Sequence, residues 1–326
     1  MSDLSVAAQQ RQSLEYLDDA VDFRALFGVL WNDKGSIIGV MSLFAIVSLV
    51  IALYLPNSYR SEALLAPAGQ EASGLGGLSA KLGGLSGLAG MAGMSLPGAG
   101  TDDKTALGLE VLKSRAFIQR FIERHQLLVP LMATSGWNAQ TGELLIDEDL
   151  YDSVNEVWVR NVSPPKMTIP SPQEAYKEFS EQLLVSQEKV TGFVRVGYEH
   201  YSPLVAQQWV TWLIEDVNRE MREQDVTEAE RSIAYLKAQV EATSLADLQA
   251  MFFELIQGQT ETIMLAKVRQ EYLFKTIDPA VVPEEKYGPK RALICIIGTM
   301  LGGMLGALWV LIRHYAFKPQ ELPAAR

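Results

Sequence analysis

Two runs of the chain contain no charged residue, and they constrain its architecture more than any other feature. From Ser36 to Leu55 the sequence reads SIIGVMSLFAIVSLVIALYL, and from Ala292 to Ile312 it reads ALICIIGTMLGGMLGALWVLI. At about 1.5 Å per residue, a helix of about 20 residues crosses the roughly 30 Å hydrocarbon core of a bilayer. The alternative, a buried helix in a soluble core, is disfavoured because core helices of this length seldom lack a polar face. Both runs are therefore read as transmembrane helices, 36–55 and 292–312. The first makes a poor cleaved signal: acids are frequent before it, its apolar stretch is too long, and Leu55, Pro56 and Asn57 supply no small-residue cleavage site.

Two spans put the tails, 1–35 and 313–326, on one side and residues 56–291 on the other. Charge near the span ends leaves the orientation open. Arg24, Lys34, Arg313, Lys318 and Arg326 lie on the tail side, against Arg60, Lys286, Lys290 and Arg291 on the other. The net charge of -11 is concentrated between the spans, where 22 basic residues face 32 acidic ones. An acidic domain of this kind argues against nucleic-acid binding, which needs a basic surface to displace counterions. It is also long enough to bury a core of its own. The lone Cys295 permits no internal disulfide.

Within this domain Ser58 to Pro67 is a strand candidate. Residues 69–100 hold 11 of the 25 glycines, a composition that suits a flexible linker. Yet Leu75, Leu78, Leu82, Leu85 and Leu88 recur at helical spacing, so a helix packed closely on another surface is the alternative. Thr101 and Asp102 offer an N-terminal cap, and the apolar period beyond them predicts one helix over 102–126. Residues 129–167 read as loops. Ser171 and Pro172 start a helix over 173–184, and 190–198 alternates as a strand. Helix, strand and helix in this spacing predict a small mixed α/β base.

After Pro203, as far as Lys275, there is no proline and one glycine, Gly258. The segment predicts a long helical arm, about 203–275. Val226, Ala229, Ile233, Leu236 and Val240 keep a heptad rhythm that shifts phase over Leu245, Leu248, Phe252 and Leu255. A helix over 203–240 would be roughly 57 Å long, against roughly 45 Å across for a compact globule of this size, so the domain is expected to be elongated. A turn near Thr243 or Gly258 would send the chain back as an antiparallel helix toward a strand-like stretch at 274–277. The fold class is thus membrane-anchored α+β: two transmembrane helices flanking a mixed α/β base with an extended helical hairpin.

Sites for chemistry are missing from the sequence. It contains neither a GxxxxGK[ST] phosphate loop nor a GxSxG elbow. His125, His200 and His314 lack the spacing of a helical metal pair. The acidic run Asp147, Glu148, Asp149 and Asp152 could hold a cation, but a solvated loop explains it better. Neither span carries an Asp, Glu, Lys, Arg or His side chain for a transport path. The expectation is a protein without catalytic residues, cofactor or metal. In the second span Gly298, Gly302 and Gly306 form GxxxGxxxG with Gly303 beside them, a stripe that lets another helix approach to backbone contact, within a subunit or between subunits. Pro279, Pro283 and Pro289 fix backbone dihedrals and bar helix continuation, so residues 278–291 are expected to form a stiff extended connector.

The stretch GQTETIMLAKVRQEYLFKTIDPAVVPEEKYGPKRAL, residues 258–293, resembles the proline-rich signature of the Wzz-type polysaccharide co-polymerases, the chain length determinants of O-antigen and related polysaccharides. KSRAFIQRFI, residues 113–122, resembles the helix near the start of that family's base domain. The order of tail, span, large domain with a helical arm, span and tail is similar over essentially the whole chain. The resemblance implies a protein of the bacterial inner membrane with both termini cytoplasmic and the domain at 56–291 periplasmic. It implies ring-like homo-oligomers that set the length of a chain, most readily lipopolysaccharide O-antigen, made by a Wzy-type polymerase on undecaprenyl-pyrophosphate-linked sugars. Lacking a phosphate loop, the chain is similar to the group without a tyrosine-kinase domain. Two rivals stand beside this reading: a capsule or exopolysaccharide export adaptor coupled to a transporter, and a membrane-anchored periplasmic sensor. The sensor is the weaker, since the short tails hold no output domain.

Overall fold

The computed structural model describes residues 30–68 and 101–317. They fall into two compact units, one holding both apolar helices and one running from Pro56 to Gly288. The leucine stripe from Leu75 to Leu88 lies outside the described residues, as do most of the N-terminal tail and the end of the C-terminal one.

Helix α1, Lys34–Tyr54, is the first apolar helix. In the other unit, strand β1 (Tyr59–Pro67) buries Ser61, Ala63, Leu65 and Pro67 and half-exposes the residues between, the period-2 pattern of a strand with one covered face. The single helix expected over 102–126 is two, α2 (Thr101–Lys113) and α3 (Arg115–Arg124). Ser114 breaks it: its backbone is extended and its Oγ accepts a hydrogen bond from the Phe117 N–H at 3.2 Å, capping a new helix. The restart turns Phe117, Ile118, Phe121 and Ile122 into the core.

Residues 129–167, expected as loops, hold more. Helix α4 (Leu128–Met132) is followed by two short hairpins, β2 (Thr134–Trp137) with β3 (Leu144–Ile146) and β4 (Tyr151–Asp152) with β5 (Val157–Trp158). Helix α5 (Pro172–Gln182) opens with a full capping box: Ser171 accepts from the Glu174 N–H, and the Glu174 carboxylate accepts from the Ser171 N–H. It ends short of the expected Leu184, because Leu183 and Leu184 begin strand β6 (Leu183–Gln187), which pairs with β7 (Val194–His200).

Helix α6, Pro203–Ala242, has 40 residues and is therefore about 60 Å long. Its first half buries Trp209, Val210, Leu213, Val217 and Met221 against the sheet, whereas beyond Met221 only Ala229 is buried. The chain turns at Thr243–Leu245 and returns as α7 (Ala246–Val268), which lies along α6. Gly258, the other expected turning point, sits inside α7 with open space around it. The arm predicted to reach about 275 stops being helical at Val268, and strand β8 (Phe274–Asp278) follows. The sheet order is β6-β7-β1-β8, with every neighbouring pair antiparallel. One core, with Trp209, Tyr198, Phe121, Phe179 and Phe274 as its largest buried side chains, joins the sheet to α3, α5 and α6.

Residues 279–287 contain no helix or strand, and α8 (Arg291–Phe317) closes the described chain. Both α1 and α8 are long and apolar enough to cross a membrane, over Lys34–Tyr54 and Arg291–His314. The architecture is therefore two apolar helices flanking a mixed α/β domain with a helical hairpin.

Candidate functional site

The glycine stripe of α8 faces α1. Positions 298, 302 and 306 recur every four residues and so share one helix face. A methyl group added at Gly302 would stand 2.6 Å from the Phe44 Cβ and 3.2 Å from the Met41 Cα; one at Gly306 would stand 3.2 Å from the Ile37 Cα. At Gly298 the space is taken by Ser48, and a methyl group added at Gly303 would stand 3.4 Å from Met41 Sδ. The partners descend from Ser48 to Ile37 as α8 ascends, so the helices run antiparallel. Within the chain, the stripe serves the packing of α8 on α1. The opposite faces, with Ile46, Leu49 and Val50 on α1 and Met300, Met304 and Trp309 on α8, are exposed.

The proline-rich connector is stapled to the edges of the base. At its start the Ala280 carbonyl accepts from Gln207 Nε2 at 3.3 Å, and the Val281 carbonyl accepts from Ser61 Oγ at 2.7 Å. At its end Ser58 and Gly288 form an isolated antiparallel bridge, with Ser58 N–H donating to the Gly288 carbonyl at 3.0 Å and Tyr287 N–H to the Ser58 carbonyl at 2.9 Å. The Arg60 guanidinium stacks 3.5 Å over the Tyr287 ring and pairs with Glu199, which also accepts from Ser58 Oγ at 2.6 Å. A side chain at Gly288 would collide with Ser58 Oγ, 2.7 Å away. The segment is thus held at its start by Ser61 of β1 and Gln207 of α6, and at its end by Ser58 and Arg60. Pro279 is exposed beside the buried Ala280, Pro283 is half-buried, and Pro289 is half-buried two residues before α8.

Buried polar groups, which sequence reasoning did not single out, fix the base internally. Asn218 of α6 donates from Nδ2 to the Phe274 carbonyl and accepts from the Leu273 and Phe274 N–H groups at 2.8 and 2.9 Å, tying α6 to the start of β8. Asp216, almost fully buried, pairs with Arg124 at 2.9 Å, with Arg219, and with His125 at 3.1 Å. His125 stacks on Trp212, and burial together with Arg124 and Arg219 holds its pKa below the usual histidine value. Arg160 donates to the Thr168 and Met167 carbonyls at 2.7 Å and to Glu174 at 2.8 Å, and that guanidinium, with the Ser171 N–H, holds the Glu174 carboxyl at about 2. His200 accepts from the Ser202 N–H on Nδ1 and meets the Pro130 carbonyl with Nε2; burial pushes it down to about 4. The signal available for these residues was a polar side chain inside an apolar period, as Asn218 beside Val217 and Met221.

The acidic run serves turns. Asp147 accepts from the Asp149 N–H, Glu148 from the Ser153 N–H, and Asp152 from the Val154 and Asn155 N–H groups. No cluster of three or more His, Cys, Asp or Glu that could hold a metal occurs among the described residues.

Comparison with known families matches the chain length determinant protein family, Wzz, over residues 19–125. The GNVR family, a G-rich domain on tyrosine kinases, matches residues 249–315. No curated protein matches the chain. Among solved structures, a full-length bacterial polysaccharide co-polymerase aligns over 93% of this chain and 100% of its own, at 12% identity and a TM-score of 0.38. A fragment of WzzB, a polysaccharide co-polymerase from Salmonella Typhimurium, aligns over 71% of this chain and 100% of its own, at 11% identity and a TM-score of 0.31.

Proposed function

We propose that this chain is a chain length determinant of the Wzz type, as the family match over residues 19–125 supports, and that it sets the length of a lipid-linked surface polysaccharide, most specifically O-antigen, made by a separate Wzy-type polymerase. The observation that carries this reading is the pairing of the two family matches. The chain length determinant match spans the first apolar helix and the start of the base, and the GNVR match spans the return helix, the connector and the second apolar helix. In this reading the apolar helices anchor the chain in the bacterial inner membrane, the domain at 56–291 is periplasmic, and the tails are cytoplasmic.

The protein works as a scaffold of several copies and performs no bond chemistry. What supports assembly is the apolar surface the fold leaves uncovered: Leu248, Met251, Phe253, Leu255 and Met264 of α7 are all exposed, more than isolated surface residues require. Deletion of the gene, followed by gel separation of the surface polysaccharide, tests the reading. Polymer that is still made but has lost its preferred length supports it, and an unchanged ladder refutes it. Complete loss of exported polymer would favour the export-adaptor alternative.

A further inference from the structure

A cleft of about 430 Å³ opens in the base where α6, the segment after α7 and the first residues of the connector meet. Its size lies in the ~300–1,000 Å³ range of small-ligand sites. The lining has an apolar part, Ile214, Pro279 and Ala280, and planar polar side chains, among them Arg222, Gln270, Glu215 and Glu271.

The two arginines of the cleft differ. Arg219 is held by the buried Asp216, so its charge is offset and its orientation set. Arg222, one turn farther along α6, is half-buried and makes no hydrogen bond or ion pair with any described residue. In a domain with an excess of acids, a half-buried guanidinium without a carboxylate presents an unused planar fork of donors. Gln270, exposed in the same lining, is likewise without a hydrogen bond to a described residue.

These features select among ligands. A phosphate or a multiply charged anion would meet Arg222 but also the carboxylates of Glu215 and Glu271, and like charges at close range oppose binding. A sugar ring suits all of the lining. Its hydroxyls both donate and accept, so guanidinium, amide and carboxylate each find a partner, while its C–H face can lie on Ile214, Pro279 and Ala280. We propose that this cleft binds one neutral saccharide ring of the glycan whose length the protein sets. The proposal rests on the chain-length reading for the identity of the glycan. The apolar part of the lining includes the start of the connector, held by Gln207 and Ser61, so an occupied cleft touches the segment that leads to the second apolar helix.

The test uses the full chain in detergent and, as probe, delipidated oligosaccharide released by mild acid from the surface polysaccharide of the producing strain, with binding read by saturation-transfer NMR and titration calorimetry. Wild type is expected to bind. Arg222→Ala should weaken binding about tenfold or more, the loss of hydrogen bonds to a charged group, with Arg222→Lys intermediate and Gln270→Ala also weaker. Because neither side chain supports the fold, circular dichroism and the unfolding midpoint should match wild type. Equal affinity in wild type and both alanine variants would overturn the proposal, as would no binding at millimolar probe. Competition by inorganic phosphate as strong as by the glycan would overturn the saccharide assignment. Failure here with a lost preferred length on gene deletion removes the cleft alone; binding that depends on Arg222 with an unchanged length on deletion leaves the cleft and removes the chain-length reading.

Discussion

Asn218 is a single side chain that bonds three backbone groups at the start of β8. Asn218→Ala would remove these bonds from the Leu273 and Phe274 N–H groups and the Phe274 carbonyl, at a cost of about 3 kcal/mol; urea unfolding of the full chain in detergent should shift by that order, and a change below about 0.5 kcal/mol would contradict the assignment. Acid stability also belongs to single residues. His200 is held at about 4 by burial, against 6.5 for the ordinary group. The unfolded chain therefore takes a proton there before the folded one does, so stability is full above pH 6.5 and falls as pH drops toward 4. Glu174 is held at about 2, chiefly by Arg160, against 4.5. Its contribution is present above pH 4.5 and is lost as pH falls toward 2. The unfolding midpoint should decline in both windows, and His200→Gln should flatten the upper one. Of these residues none was legible beforehand, because a lone polar residue in an apolar period reads the same whether it caps a neighbouring strand or faces water.

At the scale of elements, the uncharged runs and the glycine-poor stretch were readable because length and composition suffice: α1, α8 and the long helix α6 follow from them, as does the Ser171–Pro172 start of α5. Boundaries set by tertiary packing were not. Ser114 interrupts an unbroken apolar period, and Leu183 and Leu184 continue a helical pattern yet pair with Tyr198 and Gly197 in the sheet. The glycine stripe was readable as a packing face, while its partner required the structure. Gly302→Leu should drive a side chain into Phe44 and part the two helices, an overpacking cost of the kind that reaches 1–3 kcal/mol in tight cores. In a Cys295→Ser background, disulfide crosslinking between Met41→Cys and Gly303→Cys should fall in yield with Gly302→Leu. The same yield should persist with Gly39→Leu, whose surroundings are open. Undiminished crosslinking in the Gly302 variant would contradict the packing.

For the whole molecule, the account depends on a base whose geometry is fixed and a connector clamped to it by Ser58, Ser61 and Arg60. Replacing Pro279, Pro283 and Pro289 together with alanine should relax that connector, broadening the polysaccharide length distribution on gels while the protein still inserts in the membrane; an unchanged distribution would count against the connector. The resemblance was legible from 258–293 and 113–122, stretches that fall inside the GNVR and Wzz matches respectively, since prolines, glycines and helix periods survive as local patterns. The cleft at Arg222 was not, because its walls come from segments more than 40 residues apart. The most direct measurement of the central claim is reconstitution of the purified chain in lipid with a Wzy-type polymerase and lipid-linked repeat units, followed by product lengths. Added protein should turn a steadily decaying length distribution into a peaked one without itself consuming the lipid-linked substrate. An unaltered distribution, or substrate turnover by this chain in the absence of the polymerase, would contradict it.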